Sequence, residues 1–213
     1  MDQFRNPAGS QPKRPAFRFP FDPAPRTTIL LDGFRETAST RVFPGGWCES
    51  AARLNPEAVA GPLPRLKALA EASLEGRLAI PSLDRAVIVL ERLSGDWSIG
   101  RTLTARDRDL LWRAFRVPIY VQYIGISCEL LASECEAYSG AHIADRAAQF
   151  SVANDGRLLV TPLHNTAFPV LNLATGIAAE IDPTRCPCGL TSPRLRGLRA
   201  FVPAPARARA AIV

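Results

Sequence analysis

The chain has 213 residues, 47% of them hydrophobic and 22% charged, with a net charge of +6. That balance fits one domain of ordinary size, or one and a half, with enough apolar matter for a core and too little charge for global disorder. No apolar run approaches the roughly 18 residues of a membrane span, and the N-terminus lacks a secretory apolar stretch, so a cytoplasmic protein without membrane association is expected.

The first 26 residues read as a flexible tail. Pro7, Pro12, Pro15, Pro20, Pro23 and Pro25 break any regular hydrogen-bonding pattern. Phe17, Phe19 and Phe21 alternate within it, so part of this arm is expected to lie extended across the body. Residues 27–125 read as a mixed α/β region. Thr27 to Leu31 has strand character and closes on Asp32-Gly33. Trp47 to Leu54 and Leu66 to Leu74 carry helical spacing of apolar residues. Ala86 to Leu90 is an unbroken apolar run of strand length, the pattern of a strand buried on both faces. Thr104-Ala105-Arg106-Asp107 resembles a capping sequence with Asp in place of Glu. It opens a helix with Leu110, Leu111, Ala114 and Phe115 on one face, and Ile119 to Ile124 follows as another strand.

Residues 126–202 read as a small, twisted β-subdomain. Gln149 to Ala153 and Leu158 to Thr161 flank Asp155-Gly156, a hairpin signal. Pro169 to Leu173 and Ile177 to Ile181 read as two strands around a Thr175-Gly176 turn. Residues 203–213 read as a flexible Arg/Ala/Pro tail. The expected fold class is therefore α/β (α+β), an α/β region followed by a β-rich one.

Five cysteines in a chain without a signal peptide point to a reducing compartment, where they are free, metal-bound or catalytic. Cys135 and His142 stand on either side of a Gly140 turn, and Cys186-Pro187-Cys188 adds two thiols. Three thiolates and an imidazole form a set that Zn²⁺ binds tetrahedrally, and a full Cys₃His shell leaves no position for water, so such a site is structural. Spacing alone also allows buried apolar thiols or a redox Cys-Pro-Cys pair. Cys48 and Cys128 have no ligand-like neighbours and read as core. His164, beside Asn165, reads as a surface turn residue because no nucleophile or orienting acid is evident near it.

Four segments between Val117 and Arg196 resemble the phenylacetate–CoA ligase group of adenylate-forming enzymes. "FRVPIYVQYIGIS" is similar to the strand that leads into the adenylate-binding loop of that group. "SECEAYSGAHI" resembles its Glu-Cys-Glu…Gly-x-His segment, and "DGRLLVTPLHNTAFPVLNLATG" its Gly-x-Leu-Val-Val-Thr…Thr-Gly-Asp segment. "CPCGLTSPRLRG" resembles its Cys-Pro-Cys-Gly…Pro-Arg element. The resemblance implies part of the large domain of these enzymes and a structural zinc on Cys135, His142, Cys186 and Cys188.

It also implies losses. The Ser/Thr/Gly-rich phosphate loop has no convincing counterpart. The nearest stretch, Ser94 to Thr104, is interrupted by Asp96, Trp97, Arg101 and Leu103. The ribose-binding aspartate of the family is replaced by Ile177, which offers no acceptor for hydroxyls. The acid of the Tyr-Gly-x-Ser-Glu loop is displaced by an insertion in Tyr123–Glu129, and no lysine follows Lys67 to serve as the lid lysine. The resemblance with these departures implies a non-catalytic or accessory relative that keeps zinc, acts with a protein partner, and does not take ATP or CoA. The alternative is an acyl- or aryl-CoA ligase-type enzyme, or half of one completed by a partner chain, with Ser127, Glu129 and Thr175 as its ligand-binding residues. A second alternative is anion or nucleic-acid binding through Arg194, Arg196, Arg199, Arg207 and Arg209. No aromatic interleaving supports base stacking there, so nucleic acid is not the expected partner.

Overall fold

The computed structural model describes residues 14–93, 103–163 and 169–202. The N-terminal part alternates β1 (Thr27–Ile29), β2 (Thr40–Val42), α1 (Glu49–Arg53), β3 (Ala58–Gly61), α2 (Leu63–Leu74), β4 (Ala86–Arg92), α3 (Ala105–Phe115) and β5 (Ile119–Ile124). The rest is β6 (Leu130–Glu134), β7 (Ala141–Ile143), β8 (Ala148–Val152), β9 (Arg157–Pro162), β10 (Leu173–Asp182) and β11 (Arg194–Ala200). Among the described residues all eleven strands form one sheet, in the order β2-β1-β3-β4-β5-β6-β7-β11-β10-β9-β8. Strands β1 to β5 pair in parallel. From the β5–β6 pair onward every pairing is antiparallel. The sheet changes from parallel to antiparallel at the β5–β6 pair.

The parallel part is covered on both faces, which is why β4 is apolar without alternation. Val87 and Val89 face a cluster with Val59, Val121 and the α2 and α3 residues Leu66, Leu69, Leu111 and Phe115. Ile88 and Leu90 face the other way, into a cluster with Phe17, Phe34, Ala60, Tyr120 and Ile124. Helices cover the first face and the N-terminal arm helps cover the second. Pro15 O accepts from Arg35 N at 2.9 Å, and Arg18 O accepts from Gln122 Nε2 at 2.9 Å. Phe17 meets Phe34 edge-on at 5.8 Å, and Phe21 meets Tyr120 at 4.8 Å. Residues 14–26 of the expected tail are therefore packed on the body, while residues 1–13 and 203–213 lie outside the described residues.

Helix α3 begins with a reciprocal capping box. Thr104 Oγ1 accepts from Asp107 N at 3.2 Å, and Asp107 Oδ2 accepts from Thr104 N at 3.2 Å. Aspartate, one methylene shorter than glutamate, still closes it.

Residues 169–172 are not strand, and Thr175-Gly176 is not a turn: β10 runs through both. A register shift against β9 between Ala174 and Ala178 absorbs the glycine without reversing the chain. Helix α1 is shorter than the apolar spacing predicts. Cys48 supplies no side-chain cap, and Asn55, at φ 46°, turns the chain away past its end.

Candidate metal centre

Antiparallel pairing of β6 with β7 sets Glu134 opposite Ala141 and Ser133 opposite His142. The intervening loop has to reverse tightly, and Tyr138 N donates to Cys135 O at 3.0 Å to close its first turn. Gly140 completes it at φ +99°. A Cβ on Gly140 would lie 2.6 Å from Leu195 O, so only glycine lets the loop settle against β11. The β10–β11 connection carries the second thiol pair. Gly189 N donates to Cys186 O at 2.9 Å, and Cys186 N donates to Leu190 O at 3.1 Å. Because β7 also pairs with β11, with Arg194 opposite His142, the two hairpin ends meet.

The result is convergence of all four predicted ligands: one ligand atom from each of Cys135, His142, Cys186 and Cys188 lies within 4.8 Å of every other. Cys135 Sγ lies 3.7 Å from Cys186 Sγ, and Cys188 Sγ lies 3.3 Å from His142 Nε2. Two sulfurs held tetrahedrally at about 2.3 Å from zinc sit about 3.8 Å apart, whereas a disulfide needs about 2.05 Å. The donor set and spacing fit a tetrahedral ion of zinc type. His142 Nδ1 lies 3.0 Å from Ser192 Oγ and 3.3 Å from Ser192 O. A carbonyl oxygen only accepts, so Nδ1 carries the proton and Nε2 turns its lone pair to the thiols.

Electrostatics in the cluster separate the thiols. Burial pushes the Cys186 thiol up, but hydrogen bonds, first among them the one from the Cys188 amide, outweigh it and bring its pKa down to about 6. Burial, with the neighbouring thiols, pushes Cys135 up to about 11. The thiols titrate as a cluster, and a divalent cation would supply the charge needed to ionise them together.

The surroundings anchor the cluster to the parallel half. Arg108 of α3 holds both oxygens of Glu134 at 2.7 Å, and Val121 N donates to Glu134 Oε2 at 2.9 Å. Tyr138 stacks on Tyr120 at 5.3 Å, with the Arg108 guanidinium 5.2 Å from the Tyr138 ring centre. The sequence places Arg194 in a basic run at the C-terminal end, but in the structure the residue is 2% exposed, its guanidinium pairs with Asp182 at 2.7 Å and its contacts join the two loops. Its position six residues after Cys188, opposite a ligand histidine, was the available signal. Arg207 and Arg209 lie outside the described residues, as do His164 and Ser94 to Thr102 of the phosphate-loop comparison.

The three residues read as ligand-binding are not gathered at one site. Glu129 lines a cavity of about 640 Å³ between the arm and the β5–β6 turn, together with Phe17, Phe34 and Cys128. Its carboxylate folds back over Gly125, where a Cβ would meet Oε1 at 2.1 Å. Ser127 is exposed and does not line that cavity. Thr175 is 1% exposed, and its hydroxyl donates to Leu158 O at 2.8 Å.

No family model matches the chain, and no curated protein sequence matches it significantly. Solved structures share its fold. The structure of 2-hydroxyisobutyryl-CoA ligase in the postadenylation state with 2-HIB-AMP is 18% identical, with a TM-score of 0.56 over 80% of this chain and 42% of the ligase. The same ligase in its thioesterification state, with 2-HIB-AMP and CoA, is 21% identical, with a TM-score of 0.55 over 76% and 38%. The chain therefore matches about two fifths of the length of that ligase. Its mixed α/β fold resembles part of that ligase. The likeness does not single out the phenylacetate–CoA ligase group.

Proposed function

We propose that this chain is a non-catalytic, accessory relative of the adenylate-forming ligases, nearest in kind to the phenylacetate–CoA ligase group, built around a structural zinc. The zinc joins two hairpins of the antiparallel half. The framework it holds serves a protein partner rather than adenylation. Cys135, Cys186 and Cys188 supply thiolates and His142 supplies Nε2. With four protein ligands the ion has no open position, so it supplies folding energy and cross-linking, not Lewis-acid chemistry.

The observation that carries the non-catalytic reading is the place of Ile177. It is 2% exposed and packs in the main apolar cluster, at the position where the resembled family has its ribose-binding aspartate. An aspartate there would be a charge in an apolar core, and Ile177 offers the ribose nothing. The Thr175 hydroxyl two residues before is committed to Leu158 O. Titration calorimetry with Mg-ATP tests this: no binding is expected at sub-millimolar affinity, together with one zinc per chain by elemental analysis. Sub-millimolar ATP binding would overturn it.

A half-enzyme completed by a partner chain is the competing reading. It is favoured by the match to only 38–42% of the ligase chain and by the cavity beside Glu129. Pyrophosphate release from aryl acids and ATP, by the purified chain with any co-purifying protein, separates the two. A flat result removes the half-enzyme.

A further inference from the structure

Arg194 is buried in the sheet between the two ligand-bearing loops, and its contacts go to both. Nη1 donates to Ser139 O at 3.0 Å and to Ser139 Oγ at 2.7 Å, inside the loop from Cys135 to His142. Nη2 donates to Asp182 Oδ2 at 2.7 Å and to Thr184 Oγ1 at 3.1 Å, in the segment leading to Cys186. Its own backbone pairs with His142 in the β7–β11 ladder. Hydrogen bonds from Thr184 hold Asp182 in the acceptor position, at 2.8 Å from the amide and 2.6 Å from the hydroxyl. The planar guanidinium fork is suited to this, since its two ends reach in fixed, divergent directions from one buried stem.

We propose that Arg194 is a positioning residue of the metal centre, holding the Cys135–His142 loop and the Cys186–Cys188 loop at coordination distance independently of the ion. This rests on the metal reading above. Without the clamp, the ion itself has to order two loops joined through the β-ladder and the His142–Ser192 contact, and that ordering is subtracted from its affinity. Outer contacts of this kind change metal affinity by about 10–100-fold. Its side chain makes no hydrogen bond to a ligand side chain among the described residues, so the effect of changing that side chain passes through Ser139, Asp182 and Thr184.

The test uses the full chain. Zinc affinity is read by competition with a chromogenic chelator, and coordination geometry by the absorption of the Co²⁺-substituted protein. Arg194→Met and Arg194→Lys are each expected to weaken zinc by about 10–100-fold and to change the Co²⁺ bands. Lysine keeps the charge opposite Asp182, which Arg196 also approaches at 3.1 Å, but one ammonium cannot span both loops. Full rescue by lysine, or wild-type affinity and Co²⁺ bands in both variants, would overturn the proposal.

If neither variant folds, the paired Ser139→Ala and Thr184→Val changes trim the clamp at both loops, the second also freeing Asp182 of its hydroxyl hydrogen bond. A several-fold loss of affinity is then expected, and unchanged affinity overturns the proposal. A wild-type chain that takes up neither Zn²⁺ nor Co²⁺ instead overturns the metal reading on which the clamp rests.

Discussion

Cys135 and Cys186 are 51 residues apart in sequence, yet their sulfurs stand 3.7 Å from each other. Neither belongs to the same hairpin, so the contact exists only because β7 and β11 are neighbours in the sheet. The consequences can be measured at several points of the fold.

Removal of the metal is expected to lower the melting temperature. An ion present at about 100 times its dissociation constant stabilises by about 2.7 kcal/mol. For a chain of this size that corresponds to a drop of about 5–10 °C on chelation. Differential scanning calorimetry with and without chelator checks it, and Cys186→Ser should reproduce the chelated value and no longer respond to zinc.

Gly140→Ala is expected to destabilise far more than Gly156→Ala. Both glycines have positive φ, +99° and +85°, so both alanines carry backbone strain of about 1–3 kcal/mol. Only at Gly140 does the new Cβ meet a backbone carbonyl, Leu195 O at 2.6 Å, whereas at Gly156 it meets open space. Urea unfolding of the two variants isolates the difference, and zinc content should fall in the first alone.

Glu91 makes stability depend on pH in the direction opposite to an ion-paired acid. It is 2% exposed, and among the described residues its Oε2 has no hydrogen-bond partner. Burial raises its pKa from 4.5 to about 7, against the hydrogen bond from the Leu103 amide. Below about pH 4.5 the carboxyl is protonated in both folded and unfolded chains, and it brings no penalty. Between about 4.5 and 7 the unfolded chain releases the proton first, so stability falls by about 3 kcal/mol in total and is level above 7. Glu91→Gln removes this slope. The stability of the variant relative to wild type should rise between pH 4.5 and 7, and chemical denaturation at a series of pH values measures it.

Phe17→Ala is expected to free the N-terminal arm without unfolding the sheet. The ring is 9% exposed against Phe34, but the arm adds a single isolated bridge, Ala16 to Arg35, to the sheet network. Loss of a packed phenylalanine costs about 3–5 kcal/mol, enough to open a terminal segment locally. Tryptic cleavage after Arg18 should accelerate strongly in the variant, while the main thermal transition moves little. A transition that falls in step with cleavage would make the arm part of the global core.

The local elements with strong period or punctuation were legible in the residues alone. Ala86 to Leu90, the Thr104–Asp107 cap and the Asp155-Gly156 hairpin appear where the pattern puts them, because each depends on near neighbours. The four candidate ligands were legible as a possible set, but their spacing alone left buried thiols and a redox pair open, and only the resemblance favoured a metal. What could not be read is pairing between distant strands. The short strands β3 and β7 and the arginine-rich β11 carry weak patterns, and their place is set by the sheet around them. Arg194 was misread for the same reason: whether an arginine lies in solvent or inside a ladder depends on which strand lies beside it, and that strand is more than 50 residues away.

The β-ladder between β7 and β11 also imposes a timetable on biogenesis. A ribosome adding about 5–20 residues per second releases Cys135 and His142 several seconds before Cys186, Cys188 and Arg194 exist as part of the chain. Through that interval the nascent polypeptide carries half a ligand set. Translation must pass the second pair of thiols before the two loops can meet, so the antiparallel half closes only after the parallel half has emerged.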